Sequence, residues 1–250
     1  MKNLFTFLIL NILFTFSLMG TTLQSRYKIT FGLFGTLGYA TTTLNKIDET
    51  YYIRMEVKSV GLAKVLSGNR KEIYESRGKV VKGILVPELY KKTKSNNRYT
   101  KIKKFTFDHN NSQVLLEKNS YNVSTKKSEN SKETYKFYAK NDILTLYFNI
   151  LELIKTSDST QMVFHAIGGK KENGRIDIQK LQGEQKEKIE KLLGVDSESI
   201  LKVTINQKIF SSKNGELFIS ISTDNLCSHA LLKDVILFGD IKGSKIPLKN

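Results

Sequence analysis

Alternation of apolar and polar residues with period two dominates the chain. Tyr27, Ile29 and Phe31 alternate with Lys28 and Thr30, and Ile53, Met55 and Val57 alternate with Arg54, Glu56 and Lys58. Val203, Ile205 and Ile209 share one parity against Lys202, Thr204, Asn206 and Lys208, and Leu217, Ile219 and Ile221 repeat the pattern. Such alternation predicts antiparallel strands, dry on one side and wet on the other. Two Asn-Gly pairs predict hairpin turns, because both residues tolerate positive φ. Asn173-Gly174 lies between Met162–Ile167 and Ile176–Leu181, and Asn214-Gly215 between Val203–Phe210 and Leu217–Ser222. The polar run Val123–Lys132 reads as a mobile loop.

Helical periodicity is rarer. Ile143, Leu146, Tyr147, Ile150, Leu151 and Ile154 form a full helical stripe behind Asp142, a capping residue. Leu144, Phe148 and Leu153 lie off that stripe, so this helix is apolar almost all round and belongs inside or across the sheet. Glu184–Leu193 predicts a short amphipathic helix with Ile189, Leu192 and Leu193 inward and Gly194 as its stop. Gly61–Leu66 predicts one further turn. The fold class is therefore mainly β, built of antiparallel strands with one buried helix and one short amphipathic helix.

The first residues carry an address. Lys2 precedes a greasy run, Leu4 to Met19, broken by Thr6, Asn11, Thr15 and Ser17, and small residues follow at Gly20, Thr21, Thr22 and Ser25. Charge, short apolar core and small residues in that order form a secretory signal. We expect residues 1–22 to be a cleavable signal peptide with its cut between 20 and 25, and residues 23–250 to be a single β-rich domain. A spanning helix needs about 20 apolar residues, and this run is shorter. An inner-membrane signal anchor is the alternative. The expected location is periplasmic, with the mature protein peripheral to the membrane and not spanning it.

Composition narrows the partners. Forty Lys and Arg against 24 Asp and Glu give a formal charge of +16, which favours anionic partners such as lipid headgroups. Only six of the 40 are arginine, the better residue for bidentate phosphate recognition, so background basicity competes with a specific site. Nucleic acid fits the charge but not the address. Cys227 is the single cysteine, which excludes an intramolecular disulfide and a cysteine-rich zinc site, and it reads as a small hydrophobe in a strand.

No local motif carries catalysis. His109, His165 and His229 are far apart, and Asp177, Asp196 and Asp234 are scattered singly. No Gly-x-Ser-x-Gly elbow occurs, and Gly168-Gly169-Lys170-Lys171 is not followed by a helix. No cofactor or metal is expected. The densest basic segment holds Lys91, Lys92, Lys94, Arg98, Lys101, Lys103 and Lys104, with Tyr90 and Tyr99 interleaved. It reads either as an anion-binding surface or as a solvated hairpin whose lysines guard a strand edge.

One set of motifs resembles a known family. Tyr27 to Ala40 (YKITFGLFGTLGYA), Tyr52, Gly61-Leu62-Ala63, Tyr74 to Val80 (YESRGKV), Gly83 to Tyr90 (GILVPELY), Phe105 to Asp108 (FTFD) and Asn141 to Phe148 (NDILTLYF) are similar in order and type to the exported bacterial family called domain of unknown function 3108. Thr145 stands where the family pattern has a serine. The resemblance implies a periplasmic, curved, barrel-like sheet akin to lipid-carrier half-barrels, with a helix beginning at Asp142, and implies no enzyme activity. On the residues themselves, Gly32, Gly35 and Gly38 bend or bulge an opening hairpin, Gly78 and Gly83 flank a strand turn, and Pro87 sits at an edge or strand start.

These readings converge on a non-enzymatic envelope protein that binds or shelters a hydrophobic or amphipathic, lipid-like molecule. The alternative is an envelope integrity or interaction protein with a packed barrel working through its surface. A hydrolase of envelope polymers is a third class. Ligand, protein partner and oligomeric state are left open.

Overall fold

The computed structural model describes residues 20–248, apart from 156, 158, 170–171, 198, 206–215, 223–225 and 236–238. The chain runs β1 (Thr21–Phe31), a 3-10 turn (Gly32–Phe34), β2 (Gly35–Ile47), β3 (Thr50–Ser59), α1 (Gly61–Leu66), β4 (Lys71–Val81), β5 (Ile84–Ser95), β6 (Tyr99–Asp108), β7 (Gln113–Asn122) and β8 (Lys127–Thr134). It continues through β9 (Asn141–Asp142), α2 (Ile143–Lys155), β10 (Gln161–Ile167), β11 (Arg175–Lys180), α3 (Gly183–Leu193), β12 (Ser199–Ile205), β13 (Glu216–Ile221), β14 (Cys227–Val235) and β15 (Gly239–Ile246).

These fifteen strands form one sheet in the order β8-β7-β6-β5-β4-β3-β2-β1-β15-β14-β13-β12-β11-β10-β9. Neighbours pair antiparallel, except β9 and β10. The first and last strands are adjacent in mid-sheet, from Arg26↔Ile246 to Phe31↔Ile241. Two meanders thus spread from this central pair, one built by the N-terminal half and one by the C-terminal third.

Helix α2 joins the two arms, as its all-round apolar surface requires. Leu144, Ile143 and Phe148 pack with Ile53, Leu85, Tyr90 and Phe105 of the first arm. Leu146, Ile150 and Ile154 pack with Ile176, Ile178, Leu201 and Val203 of the second. Polar contacts fix its rotation. Tyr147 Oη lies 3.1 Å from Tyr27 Oη and accepts the Cys227 N–H at 3.1 Å. The sheet therefore curves around the helix without closing on itself by hydrogen bonds among the described residues.

Helix α3 covers the opposite face of the second arm. Leu181, Ile189 and Leu193 bury Ile200, Phe218 and Leu231, so β12 and β13 are dry on both faces and not half-wet as their alternation predicts. Leu193 and Ile189 face inward, but Leu192 is exposed. Gly194 ends the helix in the left-handed region at φ 71°.

Three local expectations change. The run Val123–Lys132 is not a loop: after the turn at residues 123–126, β8 pairs with β7 from Asn122↔Lys127 to Leu115↔Thr134. Its side chains are all exposed, and charges at this sheet edge oppose pairing with another chain. The Asn173-Gly174 pair has positive φ at both residues, yet it does not make a two-residue hairpin. Pairing of β10 with β11 stops at His165↔Arg175, and a longer connection with Gly168-Gly169 intervenes. Asn214-Gly215 lies outside the described residues, although β12 and β13 do pair, with Val203 opposite Leu217.

Candidate functional site

The inner face of the sheet leaves a cavity of about 450 Å³ where the central strands meet both arms. Its wall is aliphatic, with Ile29, Leu37 and Val57 from β1 to β3 facing Leu217, Leu232 and Ile241 from β13 to β15. Two glycines and Ala230 keep it open. A Cβ on Gly38 would run into the Lys58 carbonyl, and one on Gly243 would meet the Ala230 methyl at 3.7 Å. The β1–β2 ladder supplies the curvature. Its register shifts between Ile29 and Thr30, and Gly35 turns the chain at φ 67°.

Helix α1 lies at the cavity's mouth, with Ala63 and the following Ser67 on the lining. The Val60 N–H donates to the Leu37 carbonyl at 2.8 Å, and the Asn69 N–H to the Lys64 carbonyl at 2.7 Å, so this turn is fixed at both ends. The hydroxyls on the rim are occupied. Ser59 Oγ and Ser67 Oγ lie 3.2 Å apart, and Ser59 Oγ donates to the Arg70 carbonyl at 3.0 Å.

Beside the mouth runs a polar groove of about 410 Å³ lined by Lys58, Lys64, Arg70, Lys71 and Asn96, sharing Lys58, Ser59 and Arg70 with the cavity. Glu56 is ion-paired to Lys58 at 2.5 Å and to Lys71 at 3.2 Å. The Lys58 contact, helped by Lys71, holds its carboxyl at about 2. Glu72 lies on the cavity wall, paired with Arg70, with the Tyr74 hydroxyl and with Lys94 at 3.1 Å. Burial opposes its charge, yet these partners outweigh burial and keep its pKa below the ordinary value. The arrangement is an aliphatic pocket with a cationic lip.

The basic segment singled out in the sequence forms the β5–β6 hairpin, and period two divides its residues. Lys92 and Lys94 share the face of Tyr90, and Lys101 and Lys103 pair across from them. Lys92 Nζ stands 4.6 Å from the Tyr74 ring centre and Lys101 Nζ 4.9 Å from that of Tyr99. Lys91 and Lys104 occupy the other face, with Glu75 at 3.5 Å and Glu117 at 2.7 Å. Arg98 sits exposed in the turn. The seven cations therefore make no single surface, and Lys94 alone reaches the cavity wall, through Glu72.

The remaining singled-out residues build the scaffold. Lys82 and Gly83 make a two-residue turn with φ 51° and 81° between the paired Val81 and Ile84. Gly78 lies inside β4, not beside that turn, at a register shift opposite Pro87. Pro87 falls where β5 extends past β6, whose pairing begins at Leu89↔Thr106, so its missing N–H leaves no ladder bond unmade. Its carbonyl accepts from His109 Nε2 at 2.6 Å, which leaves Nδ1 to accept from the Tyr138 hydroxyl at 2.8 Å.

Asp142 is fully buried at the N-cap of α2. Oδ1 accepts the N–H groups of Leu144 at 2.8 Å and Thr145 at 3.0 Å, while Oδ2 accepts from Ser76 Oγ at 2.6 Å. Thr145 Oγ1 returns the bond by accepting the Asp142 N–H at 2.9 Å. Burial pushes the Asp142 carboxyl up to about 6, against the pull of Ser76 and the helix N–H groups. Cys227 is buried in β14 as a free thiol, and burial pushes it up to about 12, which leaves it unreactive. Among the described residues no three His, Cys, Asp or Glu side chains converge as a metal site, and no helix is long and apolar enough to cross a membrane.

The sequence reading missed the cavity and its lip. Val57 reads as an ordinary strand residue, since parity assigns a face but not whether that face is filled, and nothing in the pattern singles out Leu37 or Ile241. A family model described as "Protein of unknown function (DUF3108)" matches residues 26–225. A solved structure described as a "Beta-barrel-like Protein of Domain of Unknown Function DUF1849 from Brucella abortus" is 8% identical, over 90% of this chain and 96% of that one, with a TM-score of 0.47. No curated protein matches the chain.

Proposed function

The chain belongs to the DUF3108 family, and we propose that it binds an anionic amphiphile, with the tail in the cavity and the headgroup on the lip formed by Lys58, Lys64, Arg70 and Lys71. One observation carries the reading. An aliphatic chamber of about 450 Å³ opens beside a cationic groove that shares residues with it. Pockets for small apolar ligands span about 300–1,000 Å³, and each methylene removed from water contributes about 0.8 kcal/mol.

The protein acts in this reading as a binder and not as a catalyst. The hydroxyls on the rim are committed to each other and to backbone carbonyls, and Glu72, the carboxylate on the wall, is engaged by Arg70, Lys94 and the Tyr74 hydroxyl. The place of action is the cell envelope, after export through the N-terminal signal. Helix α2 serves as a plug for the rest of the interior, which leaves the cavity as the space for a guest.

The test is titration with a fluorescent long-chain carboxylate and with its alcohol analogue. Ala230→Phe, which fills the cavity, lowers affinity for both by about 100-fold or more. Arg70→Gln weakens the carboxylate by about tenfold and leaves the alcohol unchanged. Equal affinity of the Ala230→Phe variant and the unaltered protein for both probes overturns the proposal.

A further inference from the structure

Helix α1 is built inside out. Its apolar stripe Leu62, Val65 and Leu66 falls at the i, i+3, i+4 spacing that normally turns toward a core. Here these side chains are 65%, 76% and 86% exposed, while the small residues Ala63 and Ser67 face the cavity. Phe34, 51% exposed, stands in the 3-10 turn next to the strand that carries Leu37, the residue that accepts the Val60 N–H. Two loops at one end of the fold thus hold bulky apolar groups out in water, around the mouth of the cavity.

Cations frame this tip. Lys64 lies in the same helix and makes no ion pair among the described residues, and Lys58, Arg70 and Lys71 line the adjoining groove. Two carboxylates answer three of these four cations, Glu56 pairing with Lys58 and Lys71 and Glu72 with Arg70. A protruding apolar stripe ringed by excess positive charge complements an anionic bilayer, whose headgroups take the lysines while the boundary layer takes the leucines. A protein partner would also cover the stripe. It gives no reason for the ring of cations, or for the stripe's place at the opening of an apolar chamber.

We propose that α1 and the Gly32–Phe34 turn dock the cavity mouth onto anionic lipid bilayers. Docking stands on the exposed stripe and the flanking charges alone. That it delivers a lipid to the cavity rests on the preceding proposal. Vesicle flotation with phosphatidylglycerol–phosphatidylcholine vesicles, against pure phosphatidylcholine, tests it on the mature protein.

The unaltered protein floats with the anionic vesicles and releases them as salt rises from about 0.1 M to about 1 M. The triple variant Leu62→Ser, Val65→Ser, Leu66→Ser lowers vesicle affinity by about 100-fold with an unchanged unfolding temperature, because those side chains are already in water. Lys64→Gln lowers it by about fivefold. Ala230→Phe leaves vesicle binding intact, which separates docking from loss of the cavity. Vesicle binding by the triple variant equal to that of the unaltered protein overturns the proposal. So does loss of vesicle binding in Ala230→Phe, or a dimer in sedimentation that the triple variant abolishes while neither protein floats.

Discussion

Asn149 of α2 bonds to Leu85 of β5 as a neighbouring strand would: its Oδ1 accepts the Leu85 N–H and its Nδ2 donates to the Leu85 carbonyl, each at 2.9 Å. This stretch of β5 lies beyond the end of β6, so one side chain completes a ladder that no strand reaches. The helix that plugs the fold is thereby locked to the first arm at a buried site, where unpaired backbone groups are costly.

Asn149→Leu keeps the volume but strands both Leu85 backbone groups. We expect a loss of roughly 3 kcal/mol, read as a lower urea midpoint at unchanged slope. A midpoint equal to that of the unaltered protein would show that water or a shift of β5 replaces the pair.

Asp142 makes stability depend on pH in an unusual direction. Its folded pKa, about 6, lies above the 3.8 of a free carboxyl, so the folded state holds the proton more tightly than the unfolded chain. Its contribution to stability is full below the unfolded value, falls as pH rises from about 4 to about 6, and is flat above. The span is on the order of 3 kcal/mol. Asp142→Asn retains a good cap and should flatten this part of the profile in urea titrations from pH 4 to 7. A profile with the same fall in the variant would assign the slope to other groups.

Tyr90 is 0% exposed and its hydroxyl has no hydrogen-bond partner among the described residues. Tyr90→Phe removes that unmet group and should raise the unfolding temperature, by the equivalent of about 1 kcal/mol. Gly168→Ala should act oppositely, since its φ is 103° and a Cβ there would press on the Tyr90 ring at 3.1 Å and on Ile143 at 3.3 Å. A destabilised Tyr90→Phe would reveal a partner for the hydroxyl in solution.

In the proposed export, the pairing of β1 bears on which cut leaves the sheet whole. Thr21 pairs with Lys46, Thr22 Oγ1 donates to Asn45 Oδ1 at 3.0 Å, Leu23 packs on the core and Ser25 is 2% exposed. Of the cuts between 20 and 25, one after Gly20 leaves every pair in place. N-terminal sequencing of the exported protein should begin at Thr21, and a start at Arg26 would remove half of this strand.

Much of this architecture is legible in the residues, and the failures have physical causes. The stripe from Ile143 to Ile154 and its cap at Asp142 were readable because an all-apolar helix has one refuge, the interior. Strand parity was readable for Ile53, Met55 and Val57. It misled on the second faces of β12 and β13, where Ile200 and Phe218 lie, because α3 covers a face that sequence spacing leaves wet. Strand β8 was hidden because every side chain in it is exposed and polar, leaving no alternation to detect. Helix α1 was seen as a turn, but its inverted orientation depends on the chamber behind it, which forms only when residues around 29–57 and 217–243 come together.

The pairing of β1 with β15 sets an order of events. The wall of the chamber draws on β1 and on β15, about 200 residues apart, so a chain emerging from its N-terminus cannot finish that wall until β15 is released. Contacts between such distant parts of a sequence also form late and slowly. In the proposed reading, receptivity to a guest is thus a property acquired last, and a prematurely ended product, even one retaining all of the first eight strands, would present a half-shell with nothing to hold.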